Sequence, residues 1–271
     1  VLKQRRLKLI WYFGAKTYLL DDIFNKVYEL YPDRITAFVD VFGGAGNVVL
    51  NVPPEWKINR IYNDIDLRLY TLLNVLKDEE KRKRLFEMLD WSLPHRKIFD
   101  ELKQQTEFKD DVEMAYVYLY LHFNSFSESE TSFRIRIKYA MDEYKSQLSL
   151  LKHNFIGIKN LIIECLDYKE LIKKYDSPTT FFYLDPPYLK GGTNYKFGFT
   201  VKDFQEMHDL LMSIKGYWLM NESEVDFPEI IKIFGEPQIV REYRNNVNTS
   251  RAQVNSENRK PYRKEGFWYN F

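Results

Sequence analysis

The sequence predicts an α/β fold: a sheet with helices on both faces, interrupted by a mostly helical insertion. Three observations predict it. Short runs of apolar, β-branched or aromatic residues end repeatedly in polar or glycine punctuation, and most are continuous rather than alternating, as in strands buried on both faces. Helical periodicity lies between several of these runs. Between roughly Leu76 and Asn160 the strand signal gives way to consecutive helix-like segments.

In chain order the strand signals are "ITAFVDVFGG", "INRIYNDID", "LIIECLDY", "TTFFYLDPPY", "GYWLMNES", "PQIVREY" and "GFWYNF". The stretch "VKDFQEMHDLLMSI" reads as a helix with Phe204, His208 and Leu211 on one face. The helix-like segments of the middle are "DEEKRKRLFEMLDWS", "HRKIFDELKQQ", "DDVEMAYVYLYLHF" and "YKSQLSLLKHNF". Residues 1–75 and 161–271 are therefore expected to form the sheet domain and 76–160 the insertion. Inside the insertion, "FRIRIKY" in a strand would put Arg134, Arg136 and Lys138 on one face and Ile135 and Ile137 on the other.

A chain of 271 residues with 45% hydrophobic and 17% aromatic residues is too apolar for disorder and long enough for a substantial core. Cys165 is the only cysteine, so no intramolecular disulfide is possible, and its place in a strand run predicts a small core residue. The basic start resembles the head of a signal peptide, but Lys8 and Lys16 confine its apolar run to a few residues. No run approaches the ~20 apolar residues of a membrane span. These features predict a soluble intracellular protein. The net charge of +1 excludes little, but the cations cluster in residues 1–16 and 241–265, two segments suited to an anionic partner. His95, His122, His153 and His208 lack metal-ligand spacing, so no metal site is expected.

The turn "FVDVFGGAGN" follows a strand and precedes an expected helix, where glycines let backbone approach a ligand at the carboxyl edge of a sheet. Asp64 ends the next strand, a common place for a carboxylate that binds ribose hydroxyls. A dinucleotide fingerprint would need a third glycine where Val49 stands, and a phosphate loop at "FGAKT" would need glycines at Ala15 and Ile10, so both are rejected. In "FFYLDPPYLKGG" the acid Asp185 leaves a buried run, Pro186 and Pro187 stiffen the backbone and offer only carbonyl acceptors, and Tyr188 supplies a ring. Two acceptors and a stacking face suit a planar heterocycle bearing an amino group.

These residues, in this order, resemble the Dam-like (D12 class, alpha-group) DNA adenine-N6 methyltransferases over nearly the whole chain. "WYFGAK" is similar to the family's amino-terminal cofactor motif, which implies contacts from Tyr12 and Lys16. "DVFGGAGNVVLN" is similar to its glycine motif, implying Phe42, Gly43, Gly44 and Gly46. "YNDID" implies Asp64 as the ribose acid, and "CLDY" implies Asp167 at the cofactor adenine pocket. "DPPY" implies Asp185, Pro186, Pro187 and Tyr188 as the catalytic motif, with Asp185 also near the cofactor. "HFNSFSESETSFRIRIKY" resembles the recognition hairpin, implying Asn124, Glu128, Arg134, Arg136 and Lys138 at DNA. Glu128 stands where the family often has a guanine-reading arginine, so no GATC target is implied. The resemblance implies a Rossmann-like class I S-adenosylmethionine-dependent methyltransferase sheet, S-adenosyl-L-methionine as cofactor, double-stranded DNA as substrate and a prokaryotic or viral host. A cognate restriction endonuclease is a partner it leaves open. Cytosine-N4 methylation, RNA methylation and a binding module without catalysis stay open on the residues alone.

Overall fold

A computed structural model describes residues 6–11, 16–125, 130, 132–133, 140–189, 198–244 and 262–271. The chain divides into two compact units, Val1–Tyr175 and Asp176–Phe271. The described residues of each unit contain both helices and strands, as the α/β expectation requires.

The first unit opens with α1 (Leu20–Tyr28) and then builds three parallel strands, β1 (Ala37–Asp40), β2 (Asn59–Asn63) and β3 (Leu161–Glu164). Strand β2 lies between the other two, with Asp40 opposite Tyr62 and Asn63 opposite Glu164. The register brings the carboxyl ends of all three strands to one edge. Phe38, Val39, Ile61 and Tyr62 are all but inaccessible to solvent. Strand β3 is less covered, with Ile162 exposed, and it ends at Glu164. Cys165 therefore falls in the loop beyond it and is half-buried, not the core residue the sequence predicts.

In place of the helix expected after the glycine turn, the chain makes one 3-10 turn, Val49–Asn51, capped by Val52 in an extended conformation. Pro53 and Pro54 account for the difference: the residue before a proline is driven out of the α region, and prolines donate no N–H to continue a helix.

After α2 (Leu67–Lys77), which none of the helix-like segments covers, the middle of the chain is helical as expected, with α3 (Glu79–Asp90), α4 (Arg96–Lys103), α5 (Asp111–Asn124) and α6 (Ala140–Asn154). Asp66, Asp78 and Asp110 cap α2, α3 and α5 by accepting from Arg68, Lys81 and Glu113 N–H groups, which satisfies orphan donors that have no partner inside the helices. Helix α5 is apolar nearly all round and packs against α2, α3, α4 and α6, so it is the hub of this region. Phe99 of α4 joins Val117, Tyr120 and Leu121 of α5 in a small core that also holds Phe133. Ser125 and Phe133 form an antiparallel bridge; most of the expected recognition hairpin lies outside the described residues. The unit closes with α7 (Tyr168–Tyr175).

The second unit contains β4 (Thr180–Leu184), α8 (Val201–Ser213), β5 (Tyr217–Ser223), α9 (Phe227–Phe234), β6 (Ile239–Arg244) and β7 (Tyr262–Tyr269). Strands β4 and β5 are parallel, with Leu184 opposite Met220. Strand β7 runs antiparallel between β5 and β6. Every residue of β4 is buried, which explains its unbroken apolar sequence. Helix α8 starts at a reciprocal capping box, Thr200 with Asp203. It buries Phe204, Met207 and Leu211, while His208 meets the Phe234 ring edge-on at 5.0 Å.

Candidate functional site

The glycine turn leaves β1 at its carboxyl end and folds back onto β2. Gly43 donates to the Asn63 carbonyl (2.7 Å), Gly46 to Gly43 (2.7 Å), and the Tyr62 hydroxyl donates to the Gly44 carbonyl (2.7 Å). Gly44 and Gly46 have positive φ (50° and 73°), which only glycine adopts freely. Gly43 is required for space: a Cβ there would lie 2.4 Å from the Tyr62 ring and 2.9 Å from the Asn63 carbonyl oxygen. Gly43→Ala should thus destabilise the protein by about 1–3 kcal/mol, as overpacking does. Urea unfolding checks it, and an unchanged midpoint would mean that the Tyr62 ring gives way freely.

Asp64 follows β2 directly and is tied into this turn. One carboxylate oxygen accepts from Gly44 N–H and the other from Asp66 N–H, both at 2.8 Å. Burial pushes its pKa up to about 6, with the two backbone donors opposing the rise and Asp66 adding to it. An ionised carboxylate has about four acceptor positions, so the two backbone bonds leave capacity for a diol. Asp64 is half-buried.

Asn63, which none of the sequence motifs singles out, stitches this edge together. Buried to 2% exposure, it donates to the carbonyls of Val41 (3.0 Å) and Leu166 (3.1 Å) and accepts from Leu166 N–H (2.8 Å). An asparagine at a strand end beside the acid is the one signal that marks it. Phe42, half-buried, meets Tyr168 at 5.7 Å. Asp167 lies between Leu166 and Tyr168, exposed, and accepts from Lys169 N–H at 2.9 Å at the start of α7. The structure thus brings Phe42, Gly43, Gly44, Gly46, Asp64 and the Asp167 segment to one edge of the first unit.

Lys16 is 4% exposed and belongs to the same unit. The segment Leu7–Trp11 before it is clamped by side chains from three places. Asn51 accepts from Leu7 N–H and donates to its carbonyl, Asn154 donates to the Lys8 carbonyl, and the His122 ring bonds the Trp11 carbonyl. Tyr12 lies outside the described residues. Of the four histidines, His122 is the one that the structure buries fully. Among the described residues no group of acids, histidines and cysteine is arranged to hold a metal.

The second-unit part of the candidate set emerges from β4. Asp185 is half-buried, Pro186 buried, and Pro187 and Tyr188 half-buried. Beneath them the Tyr183 hydroxyl donates to Asn221 of β5, joining the two parallel strands where the loop departs.

Among the expected DNA contacts, Asn124 is the last residue of α5. It is 3% exposed and donates its amide to the Tyr120 carbonyl at 2.8 Å. Glu128, Arg134, Arg136 and Lys138 lie outside the described residues. Glu130 is described, with φ 56°, a left-handed conformation costly for a non-glycine residue. Its carboxylate pairs with Arg68, which also grips Asp66 at 2.7 Å and lies 5.0 Å from the Tyr118 ring. Burial lowers the Arg68 pKa, but Asp66 and Glu130 outweigh it and keep the guanidinium charged. No sequence signal marks Arg68. At the amino terminus Arg6 is engaged with Asp21 at 2.8 Å, an exposed pair of small energetic weight.

A family model described as D12 class N6 adenine-specific DNA methyltransferase matches residues 12–239. Among solved structures, the rRNA methyltransferase aviRa from Streptomyces viridochromogenes aligns with 95% of this chain and 86% of its own, at 11% sequence identity and a TM-score of 0.41. No curated protein sequence matches the chain.

Proposed function

The chain belongs to the D12 class of N6 adenine-specific DNA methyltransferases, and from that premise we propose that it methylates adenine in double-stranded DNA, using S-adenosyl-L-methionine held at the Asp64 edge. Membership of an adenine-specific enzyme family selects the adenine amine over cytosine N4 and catalysis over binding alone. The observation that carries the proposal is the placement of Asp185–Tyr188 directly after the wholly buried strand β4, since ligands of α/β sheets bind beyond the carboxyl ends of parallel strands.

Lys16, Phe42, Gly43, Gly44, Gly46, Asp64 and the Asp167 segment fit the cofactor, with Tyr12 completing the motif. Asp64 fits best, because its remaining acceptor positions suit the two ribose hydroxyls. When bound, S-adenosylmethionine supplies an electrophilic methyl group on a sulfonium. The chain's own residues prepare the acceptor. Adenine must leave the duplex stack for its amine to be reached. The Asp185 carboxylate and the Pro186 carbonyl then accept the two N6 hydrogens, and the Tyr188 ring stacks on the base. Two acceptors raise electron density on nitrogen and stabilise positive charge as it develops there, an electrostatic contribution to the barrier. The fixed loop contributes through orientation.

Residues 1–75 and 161–271 act in this reading as the catalytic part and 76–160 as the target-recognition part. Glu128, Arg134, Arg136 and Lys138 are its proposed DNA-reading side chains. Asn124, buried at the end of α5, sets the start of the hairpin. No described helix is long and apolar enough to cross a membrane.

The Asp64 pKa sets a pH dependence. Only the ionised carboxylate makes charge-assisted bonds to hydroxyls, so cofactor affinity should fall as pH drops below about 6 and level off above it. The sign for folding is opposite. A carboxylate pKa raised above its unfolded value contributes stability that is present below about 4 and lost as pH rises through about 6. Calorimetric titration between pH 5 and 8 checks the binding limb, with Asp64→Asn expected to flatten it. An equal slope in the variant would assign the dependence to another group. The function itself is tested by methylated-base sequencing of DNA from cells expressing the protein beside an Asp185→Ala control. N6-methyladenine in a fixed context, absent from the control, is the expected result, and its absence from both would overturn the proposal.

A further inference from the structure

The consecutive prolines of the catalytic loop create a structural problem. Pro186 and Pro187 have no N–H, so after Asp185 the backbone can donate only from Tyr188 onward. Leu189 supplies such a donor, and its N–H bonds Oδ2 of Asp226 at 3.0 Å. Asp226 comes from the turn after β5, the parallel neighbour of β4, so the ends of adjacent strands place it there. It occupies the N-cap of α9, where aspartate ordinarily accepts from the first turn of its own helix. Here it makes no side-chain capping bond. The carboxylate turns toward the loop instead, although the residue is 0% exposed. The Asp226 backbone is held independently: its N–H donates to Ser223, and its carbonyl accepts from Glu229 and Ile230. A buried side chain on a fixed backbone, leaving its own helix uncapped to hold a residue 37 positions away, is an anchor for that residue.

We infer that Asp226 is a positioning residue that fixes the exit of the Asp185–Tyr188 loop, and through it the plane of the Tyr188 ring and the aim of the Pro186 carbonyl. The inference rests on the proposed catalytic role of that loop. In this inference Asp226 acts through the loop rather than by contact with base or cofactor. Its part is to supply an acceptor for the Leu189 N–H just beyond the prolines, and asparagine can supply the same acceptor without charge.

The test measures single-turnover methylation of unmethylated plasmid DNA with tritiated S-adenosylmethionine for wild type, Asp226→Ala, Asp226→Asn and Asp185→Ala, with cofactor affinity measured by calorimetry. Asp226→Ala should lose roughly 10- to 100-fold in rate, the scale of a small misplacement of reacting groups. Its cofactor dissociation constant should stay within about threefold, and Asp226→Asn should recover most of the rate, as an acceptor role requires. Wild-type turnover by Asp226→Ala, or equal losses in both Asp226 variants, would overturn the inference. Hydrogen exchange on the wild-type protein tests the anchor even if Asp226→Ala does not fold. The Leu189 amide should be protected, and free exchange would overturn the inference equally. An active Asp185→Ala would instead refute the catalytic reading of the loop. An inactive Asp185→Ala beside a fully active Asp226→Ala would refute the anchor alone.

Discussion

Asp185→Ala is expected to abolish methyl transfer while cofactor binding survives at least in part. The proposed chemistry asks one carboxylate to hold an amine hydrogen and to meet the positive charge that grows on nitrogen, and alanine can do neither. The Pro186 carbonyl would remain, but as one neutral acceptor. Removing a comparable preorganised electrostatic group costs ~3 kcal/mol or more, a rate loss of roughly 100-fold and beyond. The substitution should leave the fold intact, because Asp185 is half-buried beyond the last residue of β4 and the strand itself is fully packed. The proposed cofactor contacts are mostly in the first unit, around Asp64 and Gly44, so calorimetry should still detect binding. Near-normal single-turnover rates on unmethylated plasmid DNA would sink the mechanism.

The second large effect is expected on binding. Asp64→Ala should weaken S-adenosylmethionine by roughly 1.5–3 kcal/mol, the worth of hydrogen bonds to a charged group. The substitution also frees Gly44 N–H and Asp66 N–H, which the carboxylate now holds at 2.8 Å, so part of the loss would come from a loosened glycine turn. Asp64→Asn removes the charge and, because its amide nitrogen cannot accept, keeps only one of these two backbone bonds. A dissociation constant unchanged in the alanine variant would show that Asp64 is not the ribose residue.

Much of this site is legible in the sequence because it lies where strands stop. The run "TTFFYL" predicts a buried strand, and β4 is buried at every position, so the polar residue after it has to lie at the strand's carboxyl end. Asp64 emerges from the same reasoning, and glycines between strand and acid point to a backbone approach. The errors are local and have local causes. The helix expected after the glycine turn is cut to a single 3-10 turn before Pro53. Cys165 lies beyond β3 rather than in the core, because the strand ends one residue earlier than its apolar run suggests.

By itself, then, the sequence determined the α/β class, the order of the strands, and the chemical types at the strand ends, all of which depend on nearest neighbours and short periodicities. The tertiary structure alone decided which distant groups hold those chemical types in place. Asn63 ties Leu166 beside the glycine turn, Arg68 joins Asp66 to Glu130, and Asp226 reaches Leu189. These are contacts across 103, 62 and 37 residues of chain. Nothing in a local pattern distinguishes an asparagine, arginine or aspartate that makes such a bond from one that faces water. The difference arises only when packing removes the water, because a buried polar group must then find its partner within the protein.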